Sequence, residues 1–171
     1  MIHALAHRFA VGIKKAAPHH PSSVEVIRYS LEAILNAFFI FVLTLGIALF
    51  TGKVGQVALV LLGFGVLRQL SGGIHLKSGM VCVIVTPAVF TLFSFSDFNR
   101  PTLVAMTVIG MALAAVFAPS RIERQTRIPP RFFPLLKLGS VLLVGANLLI
   151  GSSALASAFL LQCLTLIRGR R

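Results

Sequence analysis

Acidic residues are almost missing from this chain: four Asp and Glu stand against sixteen Lys and Arg, and charged residues of both signs make up only 12% of the 171. A water-soluble domain carries about one quarter charged residues, so this supply is too thin for an ordinary soluble surface. Hydrophobic residues fill 57% of the chain and the mean hydropathy is +0.94, which points to helices facing lipid. Cysteine is also scarce. Cys82 and Cys163 lie in different apolar segments with no CxxC or Cys/His spacing, which excludes a disulfide framework and implies no metal or other cofactor. The first residues lack an uninterrupted apolar core: His3, His7, Arg8, Lys14 and Lys15 punctuate the stretch from Met1 to Ala17, so it does not read as a cleaved signal peptide.

What is present is a series of apolar runs with basic gaps. Ile2, Leu5, Phe9 and Ile13 recur at helical spacing in the first seventeen residues, predicting an amphipathic interfacial helix that ends at Pro18 and Pro21. It would serve as a membrane-surface anchor, a substrate-docking strip or a plain cytoplasmic lead-in. Six apolar segments follow, over about 29–50, 54–67, 79–95, 102–118, 132–150 and 153–167. A full crossing takes about 17–25 residues, so several are at the short limit. The second can extend into its polar flanks, and Gly151-Ser152-Ser153 makes a tight turn between the last two. The chain therefore reads as a single membrane-embedded domain over 1–171, with a helix and linker over 1–21 and a six-span bundle over 29–167.

Charge then orients the bundle. With six spans and a cytoplasmic N-terminus, one side collects Arg8, Lys14, Lys15 and Arg28, then Arg68 and Lys77. It also takes Arg121, Arg124, Arg127, Arg131 and Lys137, and finally Arg168, Arg170 and Arg171, leaving only Lys53 and Arg100 opposite. That alternation obeys the positive-inside rule and puts both termini in the cytoplasm. It also explains the net charge of +12 without nucleic acid as a partner, since no single basic face is formed. Anionic lipid is the simpler counterpart. The fold class is thus all-α, a polytopic membrane protein of six transmembrane helices.

One polar interruption does not suit a crossing. Arg68-Gln69-Leu70-Ser71-Gly72-Gly73-Ile74-His75 is followed seven residues on by Cys82. Charge and broken backbone at membrane depth are tolerated inside protein or against a wet cavity, where they serve function. A thiol becomes a nucleophile as thiolate, and an imidazole can take its proton. If the intervening chain is helical, seven residues bring His75 and Cys82 to one face. Gly72 and Gly73 instead suggest a kink or re-entrant turn, whose freed N–H groups would offer an oxyanion hole. Glu32 and Asn36, one turn apart on the first span, are the alternatives for orienting His75, although Glu32 is also four residues from Arg28 and suits an ordinary ion pair. Cys163 reads as a packing residue, and His19 and His20 as loop residues.

The pattern Arg68, Gly72-Gly73, His75 and Cys82 resembles the signature of the AgrB family of quorum-sensing peptide processors. The loop opening Phe117-Ala118-Pro119 and containing Ile128-Pro129 is similar to that family's, although Ser120-Arg121 follows where relatives often carry an acid. The resemblance implies a membrane cysteine endopeptidase with Cys82 as nucleophile and His75 as base. Its partner would be a short AgrD-like precursor peptide, cleaved through an acyl-enzyme thioester and cyclised to a thiolactone or lactone. Arg68 would orient a substrate carboxylate or the oxyanion, or pair with lipid phosphate. The implied location is the bacterial cytoplasmic membrane, with the site on the cytoplasmic side and a homodimer left open. The competing readings are a small channel, holin-like protein or transporter subunit gated at Gly72-Gly73, and a family member that binds peptide without cutting it.

Overall fold

Ser23 sets where the first long helix begins. Its hydroxyl accepts from the Val26 N–H at 3.3 Å and Glu25 sits in the first turn, so the helix starts one turn earlier than hydropathy suggests. The computed structural model describes residues 2–19, 21–73, 79–120 and 129–167. Within them are α1 (Ile2–Ala16), α2 (Val24–Thr51), α3 (Val54–Ser71), α4 (Gly79–Ser94), α5 (Arg100–Phe117), α6 (Phe133–Gly145), α7 (Asn147–Ile150) and α8 (Ser153–Ile167), with a 3₁₀ turn at Pro130–Phe132. The described chain is helical throughout, as expected.

The boundaries have local causes. Gly52, with φ +69°, closes α2 in the left-handed conformation that a side chain resists. Asn99 caps α5 by accepting from the Thr102 N–H at 3.1 Å. α6 and α7 form one nearly continuous stretch broken at Ala146. The expected hairpin to α8 follows, with Asn147 accepting from the Ser152 N–H at 3.2 Å and donating to the Ser152 carbonyl at 3.2 Å. α3 runs past Leu67 through Arg68 to Ser71, so the short second segment does extend into its polar flank.

Among the described residues, four stretches are long and apolar enough to cross a membrane: α2, α3, α5 and Pro130–Ile150. The remaining two apolar helices, α4 and α8, have 16 and 15 residues. At 1.5 Å per residue these reach about 24 and 22 Å, short of a hydrocarbon core of about 30 Å.

α8 forms the axis of the bundle. Every residue from Ala154 to Phe159 is buried, as are Gln162, Cys163 and Leu166. Leu155, Phe159 and Cys163 pack with Leu67 of α3, Ala114 of α5 and Val144 of α6. A helix apolar on all sides belongs in the interior, and small residues such as Ala154, Ala156 and Ala158 let neighbours approach. Cys163 is fully buried in this cluster, which agrees with a packing role. α1 lies on α2 through Ala6 and Ala10, which are completely buried. Leu5, Phe9 and Ile13 of its apolar strip stay exposed, the arrangement of a helix lying in an interface. α2 in turn packs against α4, and these contacts frame the site.

Candidate active site

The last turn of α3 carries Arg68 and ends in two glycines with positive φ, +72° at Gly72 and +115° at Gly73. This is a turn, as the sequence suggests, but both of its N–H groups are already engaged. Gly72 donates to the Arg68 carbonyl at 2.9 Å, and Gly73 donates to the Ser120 carbonyl at 3.0 Å. The N–H groups of Gly72 and Gly73 themselves are therefore not free for an oxyanion hole, and the rest of the break, 74–78, lies outside the described residues. The backbone there is consumed by pairing with the 118–120 segment, where the Ser120 N–H returns to the Ser71 carbonyl at 2.8 Å.

Gln162 of α8 locks the turn from the other side. Its amide nitrogen donates to the Gly72 carbonyl at 2.6 Å and to the Ser71 hydroxyl at 3.2 Å. Its oxygen accepts from Arg68 Nη1 at 3.3 Å. Both amide hydrogens and the carbonyl of this buried residue are thus satisfied, as a polar group at that depth requires. Ser120 extends the network, its hydroxyl donating to the Leu166 carbonyl at 3.4 Å. Gly72 and Gly73 form a pinned wall between α3, α8 and the 118–120 segment.

Cys82 is half-buried on α4 and shares a hydrogen bond of 3.6 Å with Thr86, one turn further on. α4 packs against α3, the helix that carries Arg68. Gly79, Cys82 and Thr86 recur at helical spacing and share one side of α4. On that side a Cβ at Gly79 would lie 3.3 Å from Asn36 Oδ1 of α2. Asn36 is buried, and this oxygen has no hydrogen-bond partner among the described residues.

Glu32 is differently placed. It lies 3.4 Å from Arg28 Nε and 3.7 Å from His3 Nε2, so the helix ion pair that its spacing suggested is present. His75, with Ile74 and Lys77, lies outside the described residues, as does most of the basic loop from 121 to 128. Arg68 and Cys82 thus sit on helices that pack together, Gly72 borders Arg68, and Asn36 reaches α4. An apolar cavity of about 480 Å³ also touches α4. It is lined by Leu5 and Arg8 of α1, Phe39 of α2, and Met80 and Val83. Met80 and Val83 occupy a different side of α4 from Cys82, so this cavity is not the nucleophile's pocket.

A family model described as accessory gene regulator B matches residues 6–166, nearly the whole chain. The chain belongs to the AgrB family. An AgrB-like protein of Listeria monocytogenes is 32% identical over 132 residues, covering 72% of this chain and 65% of the relative. One from Halalkalibacterium halodurans is 28% identical over 120 residues, with 70% and 61% covered. The accessory gene regulator protein B of Staphylococcus aureus is 24% identical over 103 residues, with 58% and 55% covered. The chain thus spans less than two thirds of the length of these relatives. No solved structure matches it.

In this AgrB-family chain, sequence reasoning passed over Gln162, Ser120 and Thr86. Gln162 did leave a signal, as an amide in an otherwise apolar helix, and polar groups in spans face the bundle interior. Its partner turn lies 90 residues away, and no periodicity links the two. The packing around the turn also constrains Gly73. A Cβ there would lie 2.9 Å from Thr165 Oγ1 and 3.2 Å from Gln162 Nε2, at a φ that side chains avoid. Gly73→Ala is therefore expected to destabilise the protein by about 1–3 kcal/mol, read as a lower temperature for loss of the monodisperse peak in detergent. Gly65→Ala, in open space on α3, should leave that temperature unchanged or raise it.

Proposed function

We propose that this protein is a membrane cysteine endopeptidase that cleaves a short AgrD-like precursor and promotes cyclisation of the retained fragment. The observation that carries the reading is Cys82, half-buried on α4 where that helix packs against the Arg68-bearing α3, in a chain of the AgrB family. His75 removes the thiol proton, and the Cys82 thiolate attacks the scissile carbonyl carbon. The C–N bond breaks, the departing amine takes its proton from the imidazolium, and the N-terminal fragment remains as a thioester. An internal Cys or Ser of the bound peptide then attacks that thioester, closing a thiolactone or lactone and releasing Cys82. Exchange between two thiols is nearly isoenergetic, so excluding water favours the ring over hydrolysis. The Gly72 and Gly73 N–H groups are engaged elsewhere, and in this reading Arg68 supplies positive charge toward the developing oxyanion.

Six crossings with both termini cytoplasmic complete the reading, with α4 and α8 as short spans in a locally thinned or tilted setting. The basic rim then faces anionic lipid on the side of the site. The decisive experiment is co-expression with a precursor that has an amphipathic start, an internal Cys and an acidic end. Intact-mass analysis should find the N-terminal fragment esterified to Cys82, and the adduct should collect when the precursor's internal Cys is replaced by Ala. A released cyclic product with no adduct at Cys82 under either condition would refute the mechanism. For topology, single cysteines placed at Ser22 and Gly151 should label from opposite sides of inverted vesicles, with position 22 on the cytoplasmic side. Labelling of both from the same side would rule out the alternation.

A further inference from the structure

α1 and α4 both lie along α2, yet among the described residues they scarcely meet each other. The space between them is the apolar cavity of about 480 Å³, well inside the range of about 300–1,000 Å³ that small-molecule sites occupy. Leu5 of α1, Phe39 of α2, and Met80 and Val83 of α4 line it, and Arg8 is its one charged lining residue. Leu5 and Arg8 are three residues apart and share a side of α1.

Protein interiors are close-packed, so a void of this size calls for an occupant. Water is unsuited, because apolar walls offer it too few polar partners. Hydrocarbon is the solvent at hand in a bilayer. Leu5, Phe39 and Met80 each keep part of their surface open, so an acyl chain can enter from the lipid side.

Arg8 narrows the choice of lipid. α1 lies as an interfacial helix with Leu5, Phe9 and Ile13 exposed, which sets a charged side chain of that helix at headgroup level. Among the described residues no carboxylate is paired with Arg8: Glu25 is bonded to Arg28, and Glu32 to Arg28 and His3. A guanidinium in that position suits a phosphate, which it can hold through two parallel N–H bonds.

We propose that the cavity holds one acyl chain of an anionic glycerophospholipid, with Arg8 taking its phosphate, so that a bound lipid fills the gap between α1 and α4. This is one lipid at one place, apart from the general attraction of a basic rim to an anionic surface. It is independent of the peptidase chemistry, since the cavity and Cys82 lie on different sides of α4.

The chain has no Trp, so a single introduced tryptophan reports on its own surroundings. Phe39→Trp stands at the cavity. Phe41→Trp, two positions on, lies at nearly the same depth on the far side of α2. Each protein is placed in phosphatidylcholine vesicles containing a rising share of brominated phosphatidylglycerol or brominated phosphatidylcholine. Half-quenching of the Phe39→Trp protein is expected at a share of the anionic lipid about fivefold lower than of the zwitterionic one. The Phe41→Trp protein should respond to both alike. Arg8 is exposed, so Arg8→Gln should fold normally and bring the two lipids level at the cavity. Leu5→Trp carries the same expectation should Phe39→Trp not fold. Equal quenching by both lipids at the cavity with Arg8 in place would leave an ordinary lipid shell and overturn the proposal. An anionic preference that is as large in the Phe41→Trp protein, or that survives Arg8→Gln, would express net charge rather than a site. Failure of either lipid to quench at the cavity would mean that no acyl chain enters it.

Discussion

Cys82→Ala is expected to bring precursor cleavage down to background, while Cys163→Ala leaves it within about threefold. The two thiols differ in setting rather than in chemistry. Cys163 has no exposed surface and packs with Leu155 and Phe159 of its own helix and Leu67, Ala114 and Val144 of its neighbours. A thiol in such surroundings stays neutral and inert. Its loss removes one buried group and costs on the order of 1 kcal/mol of stability. Cys82 is half-buried and bonded to Thr86, the partly accessible setting that a reactive thiol needs. Cys82→Ser should fall almost as far as the alanine, since a hydroxyl at neutral pH lacks an ionised form to attack with. His75→Ala should follow, because thiol and base act as a unit and their losses do not add. Product formation is read by mass spectrometry of the released peptide, and adduct formation on the protein gives an independent check. Cleavage that persists in both Cys82→Ala and His75→Ala would remove the peptidase reading altogether.

The helices were legible because each rests on local chemistry. Ser23 and Asn99 cap their helices, Gly52 and Gly151 end theirs, and apolar runs fill the space between. Hydropathy placed the start of α2 near Tyr29, because it weighs oil against water and is blind to a capping hydroxyl at Ser23. The glycine turn was legible as a break, and positive φ at both positions agrees. What surrounds the turn was not. Ser120 and Gln162 reach it from 48 and 90 residues away, and pairing at that separation leaves no periodic trace. The engagement of the Gly73 N–H was hidden for the same reason: a backbone N–H looks free until its distant acceptor is known. Between Glu32 and Asn36 the sequence offered equal spacing. Glu32 is ion-paired with Arg28 and His3, and Asn36 Oδ1 is buried with no partner among the described residues, while His75 lies outside them.

Gln162→Leu tests whether that distant clamp matters to the chemistry. Leucine keeps the bulk of the side chain but offers neither donor nor acceptor, so the Gly72 carbonyl, the Ser71 hydroxyl and the Arg68 guanidinium each lose one bond. Buried groups left without a replacement partner cost about 1–3 kcal/mol apiece. The thermal midpoint should therefore drop clearly. The chain has no Trp, so heating followed by size-exclusion chromatography is a better readout than intrinsic fluorescence. Cleavage should fall by at least about tenfold at temperatures where the variant remains monodisperse, since Arg68 loses its bond to Gln162 and small misplacements are costly in rate. Gln162→Glu divides the two halves of the clamp. It retains an oxygen for Arg68 but turns an oxygen toward the Gly72 carbonyl, replacing a 2.6 Å hydrogen bond by repulsion. If anchoring Arg68 is all that counts, the glutamate recovers activity. If the turn must be pinned, it does no better than leucine, and the short contact to Gly72 favours this second result. A leucine variant that folds and cleaves like the unsubstituted protein would show that the Gly72–Gly73 wall stands without α8.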